Sequence, residues 1–115
     1  MRKHKTSYWG AVQYETVLCP GIHIVGTASH GGIVVDAEHL ERMPEFMRST
    51  PYSPDQWFEE DSDWCLPVVC FEAEILAGGD ADAVRWIESS QHIKEFRRGH
   101  AERCRQWAES EQAKC

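Results

Sequence analysis

The stretch PGIHIVGTASHGGIVVD, residues 20–36, decides the fold of this chain, because two apolar runs flank a polar turn. The first run alternates as a strand does, so that Ile22 and His23 fall on opposite faces. The second run, IVV, follows two glycines that allow a tight turn or the close approach of another segment. The stretch therefore predicts two adjacent strands of an antiparallel sheet.

The residues before this stretch predict a further strand of the same sheet. In WGAVQYETVLCPG, residues with strand propensity recur at alternate positions from 12 to 16. The tripeptide CPG that ends this segment is typical of a turn, with Pro20 at its second position. Residues 1–35 are thus predicted to form a small antiparallel β-meander.

Residues 36–79 are predicted to form short helices and an acidic loop. Asp36 is a suitable N-cap for a helix over AEHLERM, and a short turn follows in PEFMRS. Another helical stretch is predicted to extend into QWFEED. The apolar pattern of residues 66–76 fits a helix or a strand, and Pro67 at its start with a glycine pair at its end favours the helix.

Residues 80–110 are predicted to form one long helix with an apolar stripe. The residues of this stripe are Trp86, Ile93, Phe96 and Trp107. A helix of about 28 residues is about 42 Å long at about 1.5 Å per residue. Because the predicted sheet is shorter than that, Trp107 is left for a partner, such as a second copy of the chain. A break at Gly99 that folds the second half back is an alternative of equal weight.

The composition fits one compact domain over residues 1–115. With 42% hydrophobic residues the chain can bury a core. The order of elements predicts an α+β fold, in which a small N-terminal antiparallel β-meander packs against C-terminal helices, the last one long. The sequence has no apolar run near the about 20 residues of a membrane span, no signal-peptide pattern and no CxxC motif. We therefore expect a soluble intracellular protein with reduced thiols.

The net charge argues against nucleic acid as a direct partner. The chain has 19 acidic and 12 basic residues, for a formal charge of -7, whereas affinity for nucleic acid comes mostly from basic contacts to phosphate. An acidic protein suits a basic protein surface instead, including one that normally holds nucleic acid.

Two polar clusters are candidate sites. The candidate residues of the first cluster, in TASHGG, are Thr27, Ser29, His30, Gly31 and Gly32. The candidate residues of the second, in WFEEDSDW, are Trp57, Glu59, Glu60, Asp61, Asp63 and Trp64. Carboxylates between tryptophans can hold an arginine or lysine of a partner, although a charge run is more often a solvated face. If the clusters meet, His30 is expected to be buried and hydrogen-bonded to a carboxylate of the second cluster.

The histidines and cysteines do not have the spacing of a metal site. His23, His30 and His39 match no zinc pattern, and the cysteines are scattered. His100 and Cys104 stand at positions i and i+4 and offer only half of a helical site. We therefore expect no tightly bound zinc and no cofactor.

An enzymatic role is the main alternative to a binding role. TASHGG has neither the length nor the lysine of a P-loop. Ser29 and His30 are neighbours that point to opposite faces of a strand, so they cannot form a nucleophile and base pair. The enzymatic alternative is a small hydrolase or nuclease in which His30 acts with an acidic residue of 59–63, with Glu60 and Asp61 as the first candidates.

Four segments of the sequence occur in an order that is similar to a known family. They are WG at residues 9–10, PGIHIVGTASHGGIVV, MPEFMR and WFEEDSDW. This series resembles a small uncharacterised domain of phage and plasmid proteins, over about residues 9–71. The resemblance implies signature positions at Trp9, Gly10, Thr27, Ser29, His30, Gly31, Gly32, Pro44, Glu59, Glu60, Asp61, Asp63 and Trp64. It implies a setting, mobile genetic elements in the cytoplasm of a bacterial host, and no mechanism.

Together these observations predict an accessory protein of a phage or mobile element that binds and blocks a host protein. The expected target has a basic surface, such as a CRISPR effector or another defence component, and the expected docking surface is acidic and rich in tryptophan. The expected binding residues are Trp107 and the second polar cluster. Further acidic candidates are Glu88, Glu95, Glu102 and Glu109. A structural dimeric module, with the C-terminal helix as its interface, is a further alternative.

Overall fold

A computed structural model describes residues 1–48, 56–60, 63–78, 81–82, 85, 94–95 and 98–113. The strands in this part of the chain are β1 Thr6–Ser7, β2 Gly10–Ala11, β3 Tyr14–Cys19, β4 Ile22–Gly26, β5 Gly31–Val35 and β6 Trp57–Glu59. The longer helical elements are α1 Ala37–Arg42, α2 Glu45–Arg48, α3 Cys65–Cys70, α4 Glu72–Gly78 and α5 Ala101–Ala113. The predicted order, an antiparallel sheet followed by helices, is confirmed.

The main sheet has four antiparallel strands in the order β3, β4, β5, β6. Strands β1 and β2 form a separate two-stranded antiparallel pair. The turn between β3 and β4 depends on Gly21, whose φ of 91° favours glycine. A side chain at Gly21 would also collide with Asp36 and His39. The predicted meander is therefore present, with one more strand at its edge.

That additional strand, β6, corrects the helical stretch that the sequence predicted around residue 57. In the observed register, Ile33 of β5 pairs with Phe58, and the flanking residue Trp57 pairs with Val34. Phe58 is fully buried, so this short segment completes the core and covers the edge of β5. Capping patterns are local, and they do not report a pairing partner that lies 25 residues earlier in the chain.

The helices after β5 follow the predicted pattern. Asp36 caps α1, because its Oδ1 accepts a hydrogen bond of 2.9 Å from the backbone N–H of His39. The ambiguous segment 66–76 is helical. It is divided into α3 and α4 at Phe71, whose φ of -120° is not helical.

The predicted long helix over residues 80–110 is interrupted at His100, which is a turn residue between helical residues. Gly99 just before it has a low helix propensity, which favours an interruption at this point. After the turn, α5 contacts α2 and α3, and Trp107 packs against the core. The interruption beside Gly99 that one of the two alternatives required is therefore present, and Trp107 is not left for a partner. The other stripe residues, Trp86, Ile93 and Phe96, lie outside the described residues.

The two faces of the main sheet have different coverings. Most of the sheet residues in the apolar core lie on the face under the helices. They are Leu18, Ile22, Ile33, Val35 and Phe58. The face on the other side carries Glu15, His23 and Trp57, as the register of the paired strands requires. We call it the N-terminal face, because His4 and Trp9 contact it.

Two further features bear on the expected class of protein. No helix within the described ranges is both long and apolar enough to cross a bilayer. The described cysteines, Cys19, Cys65, Cys70 and Cys104, are free thiols. Burial raises the pKa of Cys19 to about 11, with a further contribution from the nearby carboxylates of Glu74 and Asp36, so this thiol stays protonated and unreactive near neutral pH.

Candidate functional site

The first polar cluster lies at the turn between β4 and β5, and its histidine is exposed. Thr27 closes the turn, because its Oγ1 accepts from the His30 backbone N–H at 3.1 Å and donates to the His30 carbonyl at 2.6 Å. His30 Nδ1 lies 3.7 Å from Glu59 Oε1, but 53% of the His30 side chain is exposed. The predicted proximity of the clusters is observed at this pair. The predicted burial of His30 is wrong, because the turn projects the ring into solvent.

This exposure weakens the enzymatic alternative. A catalytic histidine normally works in a cleft that excludes water from its partner and its substrate. The His30 ring and its neighbour Glu60 are both exposed, and Asp61 lies outside the described residues. Within the part of the chain that the structure describes, His30 and Glu60 are therefore not enclosed in a cleft.

The glycines of the first cluster serve packing. A Cβ at Gly32 would lie 2.6 Å from the ring of Trp9 and would also strike the Phe58 carbonyl. A Cβ at Gly31 would lie 2.8 Å from both the Glu60 carboxylate and the Val25 carbonyl. The segments that contain Trp9 and Gly32 are thus in direct contact.

The second polar cluster is divided between the interior and the surface. Asp63 and Trp64 are 1% and 4% exposed, and Asp63 Oδ1 lies 3.2 Å from His100 Nε2. Glu60 is exposed. The expected exposed surface of carboxylates and tryptophans is therefore not formed at Asp63 and Trp64, because this part of the chain leads into the buried helix α3.

A different polar cluster, which the sequence did not reveal, lies on the N-terminal face. His4, Glu15 and His23 converge so that one ligand atom of each lies within 4.8 Å of the others. Glu15 Oε2 lies 2.5 Å from His23 Nδ1 and 3.0 Å from His4 Nδ1. Glu15 Oε1 accepts a hydrogen bond of 2.6 Å from the His4 backbone N–H. We call these three residues the histidine–glutamate cluster.

The histidine–glutamate cluster is largely buried and bordered by aromatic rings. The exposed fractions of the side chains are 3% for Glu15, 4% for His23 and 20% for His4. The His4 ring meets Trp57 edge-on at 5.2 Å between centroids, and Trp57 in turn meets Trp9 at 5.8 Å. The cluster is thus most accessible on the side of His4.

Hydrogen bonds maintain the charge of Glu15 within the histidine–glutamate cluster. Burial alone would raise the pKa of Glu15, but the hydrogen bonds from His4 and His23 outweigh it and hold the pKa below its ordinary value. A buried carboxylate that stays ionised at neutral pH can neutralise a cation or a protonated imidazole.

One signal in the sequence could have revealed half of this cluster. The turn at Pro20 and Gly21 fixes the register of the β3–β4 hairpin, in which Glu15 pairs with Val25 and Val17 pairs with His23. Glu15 and His23 are therefore diagonal neighbours on one face, within reach of long side chains. His4 precedes the sheet, and no periodicity predicts its position.

A second buried histidine joins two helices. His39 Nδ1 lies 2.6 Å from Asp36 Oδ1, and His39 Nε2 lies 2.7 Å from Glu74 Oε2. Burial lowers the pKa of His39, but Glu74 and Asp36 raise it more, so the net shift is upward. Arg42 also pairs with Glu74 and lies 5.0 Å above the ring of Phe71. This network links α1 to α4, and its groups satisfy one another.

A surface groove lies between α2 and α5. Its lining residues are Glu45, Phe46, Glu102, Arg103 and Gln106. Trp107 on α5 is only half-exposed and packs on the core. It is therefore not the unpartnered end of an apolar stripe that the sequence predicted.

A comparison with protein families gives a match that covers nearly the whole chain. The model of the family described as Domain of unknown function (DUF7007) matches residues 2–114. No curated protein and no solved structure is significantly similar to the chain. The expectation of an uncharacterised domain is thus confirmed at that level.

Proposed function

We propose that this chain, which belongs to the DUF7007 family, is a binding module that engages a basic protein surface through the acidic helices that follow its sheet. The observation that carries the proposal is the segregation of charge along the chain. Residues 36–80 hold twelve acidic and two basic residues, whereas the other parts hold seven acidic and ten basic ones. The net negative charge of the chain therefore lies in residues 36–80.

The structure supports an outward position for much of this charge. On α1, α2 and α4 the exposed carboxylates are Glu38, Glu41, Glu45 and Glu72. We call the first three residues the acidic helix set. Exposed charges of one sign raise the rate of association with an oppositely charged partner and select against partners of like charge.

The groove between α2 and α5 gives this surface an apolar element. Phe46 is partly exposed there, beside the carboxylates of Glu45 and Glu102. Arginine suits such a place, because its guanidinium can pair with a carboxylate while its plane stacks on an aromatic ring. The binding residues of this proposal thus differ from Trp57, Trp64 and Trp107, which pack against other residues.

The proposed setting is a phage or other mobile element in the cytoplasm of a bacterial host. The resemblance of the signature segments supports it. The proposed partner is a host protein with a basic surface that normally holds nucleic acid, such as a CRISPR effector or another defence component. Carboxylates that occupy the positions of phosphates would block that surface by occlusion.

The test is a comparison of two variants with the same net charge. One variant neutralises the acidic helix set as Glu38→Gln, Glu41→Gln and Glu45→Gln. The matched control neutralises three exposed carboxylates outside residues 36–80, Glu95→Gln, Glu109→Gln and Glu111→Gln. Glu95 and Glu109 were binding candidates from the sequence, and they lie outside the acidic segment that carries the proposal. Each protein is immobilised, incubated with nuclease-treated bacterial lysate, and the bound proteins are quantified by mass spectrometry.

We expect the wild type to enrich proteins with basic surfaces, and the acidic helix variant to bind the most enriched one about tenfold more weakly. Three exposed charge pairs of about 0.5 kcal/mol each give that factor. The control variant should bind as the wild type does. An equal loss in both variants would show that net charge alone governs capture, and binding that both variants retain would also contradict the proposal.

A further inference from the structure

We propose that His4, Glu15 and His23 form a binding site for a divalent metal ion of the zinc type. The proposal concerns the N-terminal face and does not depend on the acidic helices. It departs from the expectation of no tightly bound zinc, which rested on spacings in the sequence, because the fold brings together three residues that are distant in the chain. It rests on the donor set, on the distances between the donor atoms, and on the burial of the site.

The donor set is one that zinc uses. Two imidazole nitrogens and one carboxylate oxygen occupy three of the four tetrahedral positions in zinc sites that leave the fourth open to water. Zn²⁺ accepts nitrogen and oxygen ligands at about 2.0–2.1 Å. Mg²⁺ and Ca²⁺ prefer all-oxygen sites, so the two imidazoles favour a transition metal.

The distances are close to those of a tetrahedral site. At about 2.05 Å from the metal, two ligand atoms of a tetrahedron lie about 3.3 Å apart. His4 Nδ1 and Glu15 Oε2 are 3.0 Å apart, and His23 Nδ1 is 2.5 Å from the same oxygen. An outward movement of less than about 1 Å at His23 would give the second pair the separation required. Small rotations about side-chain bonds can supply it.

The site is also preorganised. Glu15 and His23 lie on adjacent paired strands, so the backbone fixes their separation. The His4 backbone N–H holds Glu15 Oε1, which leaves Oε2 for the two imidazoles. The carboxylate is 3% exposed and the His4 side chain 20% exposed. A metal ion would therefore meet a partly desolvated, charged site with access from the side of His4.

The experiment uses the full chain without an affinity tag, stripped with a chelator and dialysed. Zn²⁺ alone is titrated in by calorimetry and by competition with a chromophoric chelator. The variants are His4→Gln and Glu15→Gln. The control is His30→Gln, a histidine outside the site whose side chain is 53% exposed. Co²⁺ then replaces Zn²⁺, because its visible absorption reports the coordination geometry and its near-ultraviolet absorption reports thiolate ligands.

We expect one equivalent of Zn²⁺ in the wild type and in the control variant, with a tetrahedral Co²⁺ spectrum that has no thiolate band. In each site variant the affinity should fall by at least about tenfold, which is the lower limit even for residues that only support a ligand. His4→Gln changes a partly exposed side chain before the main sheet, so it decides the matter if Glu15→Gln fails to fold. Absence of binding in the wild type, retention of affinity in His4→Gln, or a thiolate band would each overturn the proposal.

Discussion

On the face of the sheet that the helices cover, Ile33 and Phe58 are fully buried among other apolar side chains. On the N-terminal face, an ionised glutamate lies between two histidines, and one of these histidines meets the ring of Trp57. The first face is stabilised by the area it removes from water, and residues of similar size can replace one another there. The second depends on hydrogen bonds with fixed partners. One sheet can thus have one face that tolerates substitution by residues of similar size and another face that depends on particular residues.

The largest expected effect contrasts two neighbours on β6 that point to different faces. Phe58→Ala should lower the free energy of unfolding by about 3–5 kcal/mol, because it opens a cavity in the core. Trp57→Ala should cost about 1–2 kcal/mol, since Trp57 is only half-buried and the N-terminal segment can move toward the space. Both changes in the free energy of unfolding can be measured by urea unfolding followed by circular dichroism.

This pair of variants tests directly whether the two faces of the sheet differ in what stabilises them. If Trp57→Ala costs as much as Phe58→Ala, the N-terminal face is a second core and its polar cluster is incidental. If Phe58→Ala costs less than about 2 kcal/mol, β6 does not close the edge of the sheet in solution, and the pairing with Ile33 is not maintained.

The next effect tests the contact between Gly32 and the ring of Trp9. Gly32→Ala places a methyl group against the ring of Trp9 and the backbone of Phe58, and we expect it to lower the free energy of unfolding by about 2 kcal/mol. The matched control is Gly99→Ala, a helical position where an added Cβ meets nothing within 4 Å. That control should be neutral or stabilising by up to about 1 kcal/mol. Equal losses of unfolding free energy at both glycines would contradict a packing role for Gly32.

Local patterns predicted the parts of the fold that local chemistry determines. Alternation predicted β3 and β4, an apolar run after two glycines predicted β5, and a capping side chain predicted α1 with Asp36 at its N-cap. The segment around Phe58 was predicted as helical because its strand state exists only when β5 is present to pair with it. A break beside Gly99 was one of two alternatives; a turn residue is present at His100, and Trp107 on α5 packs on the core.

The polar sites were harder to predict than the strands. Sequence patterns emphasised His30 and Asp63, but the first is exposed and the second is buried beside His100. The histidine–glutamate cluster draws its members from the segment before the sheet and from two strands, at separations of 11 and 8 residues. Metal motifs are recognised by short spacings on one element, so a site assembled by strand register escapes them.

A smaller expected effect is a difference between the two faces in how the free energy of unfolding depends on pH. Because the pKa of Glu15 is lowered in the folded protein, its carboxylate binds a proton less tightly there than in the unfolded chain, where the pKa is about 4.3. The stabilisation by Glu15 is therefore fully present above about pH 5 and is lost as the pH falls through the lowered folded value. Glu15→Gln should cost about 1–2 kcal/mol at pH 7, and this cost should shrink below pH 4.

The control for this prediction is Phe58→Ala, whose cost should not depend on pH in the same way, since no titrating group is removed. All measurements are made with a chelator present, so that a bound metal cannot contribute. A cost for Glu15→Gln that is constant from pH 7 to pH 3 would mean that the carboxylate is not held ionised by His4 and His23.

The smallest effect is expected at the most conspicuous histidine of the sequence. The turn that contains His30 is closed by the Thr27 hydroxyl and by backbone atoms of His30, none of which His30→Ala removes. The ring is more than half exposed and lies 3.7 Å from Glu59, and a solvated pair at that distance contributes little. We therefore expect His30→Ala to change the free energy of unfolding by less than about 0.5 kcal/mol, measured by urea unfolding beside Thr27→Ala, which breaks the turn and should cost about 1 kcal/mol. A cost above about 1.5 kcal/mol for His30→Ala would mean that the histidine is buried against the acidic segment in solution, and the polar sequence motifs would then meet in a shared network after all.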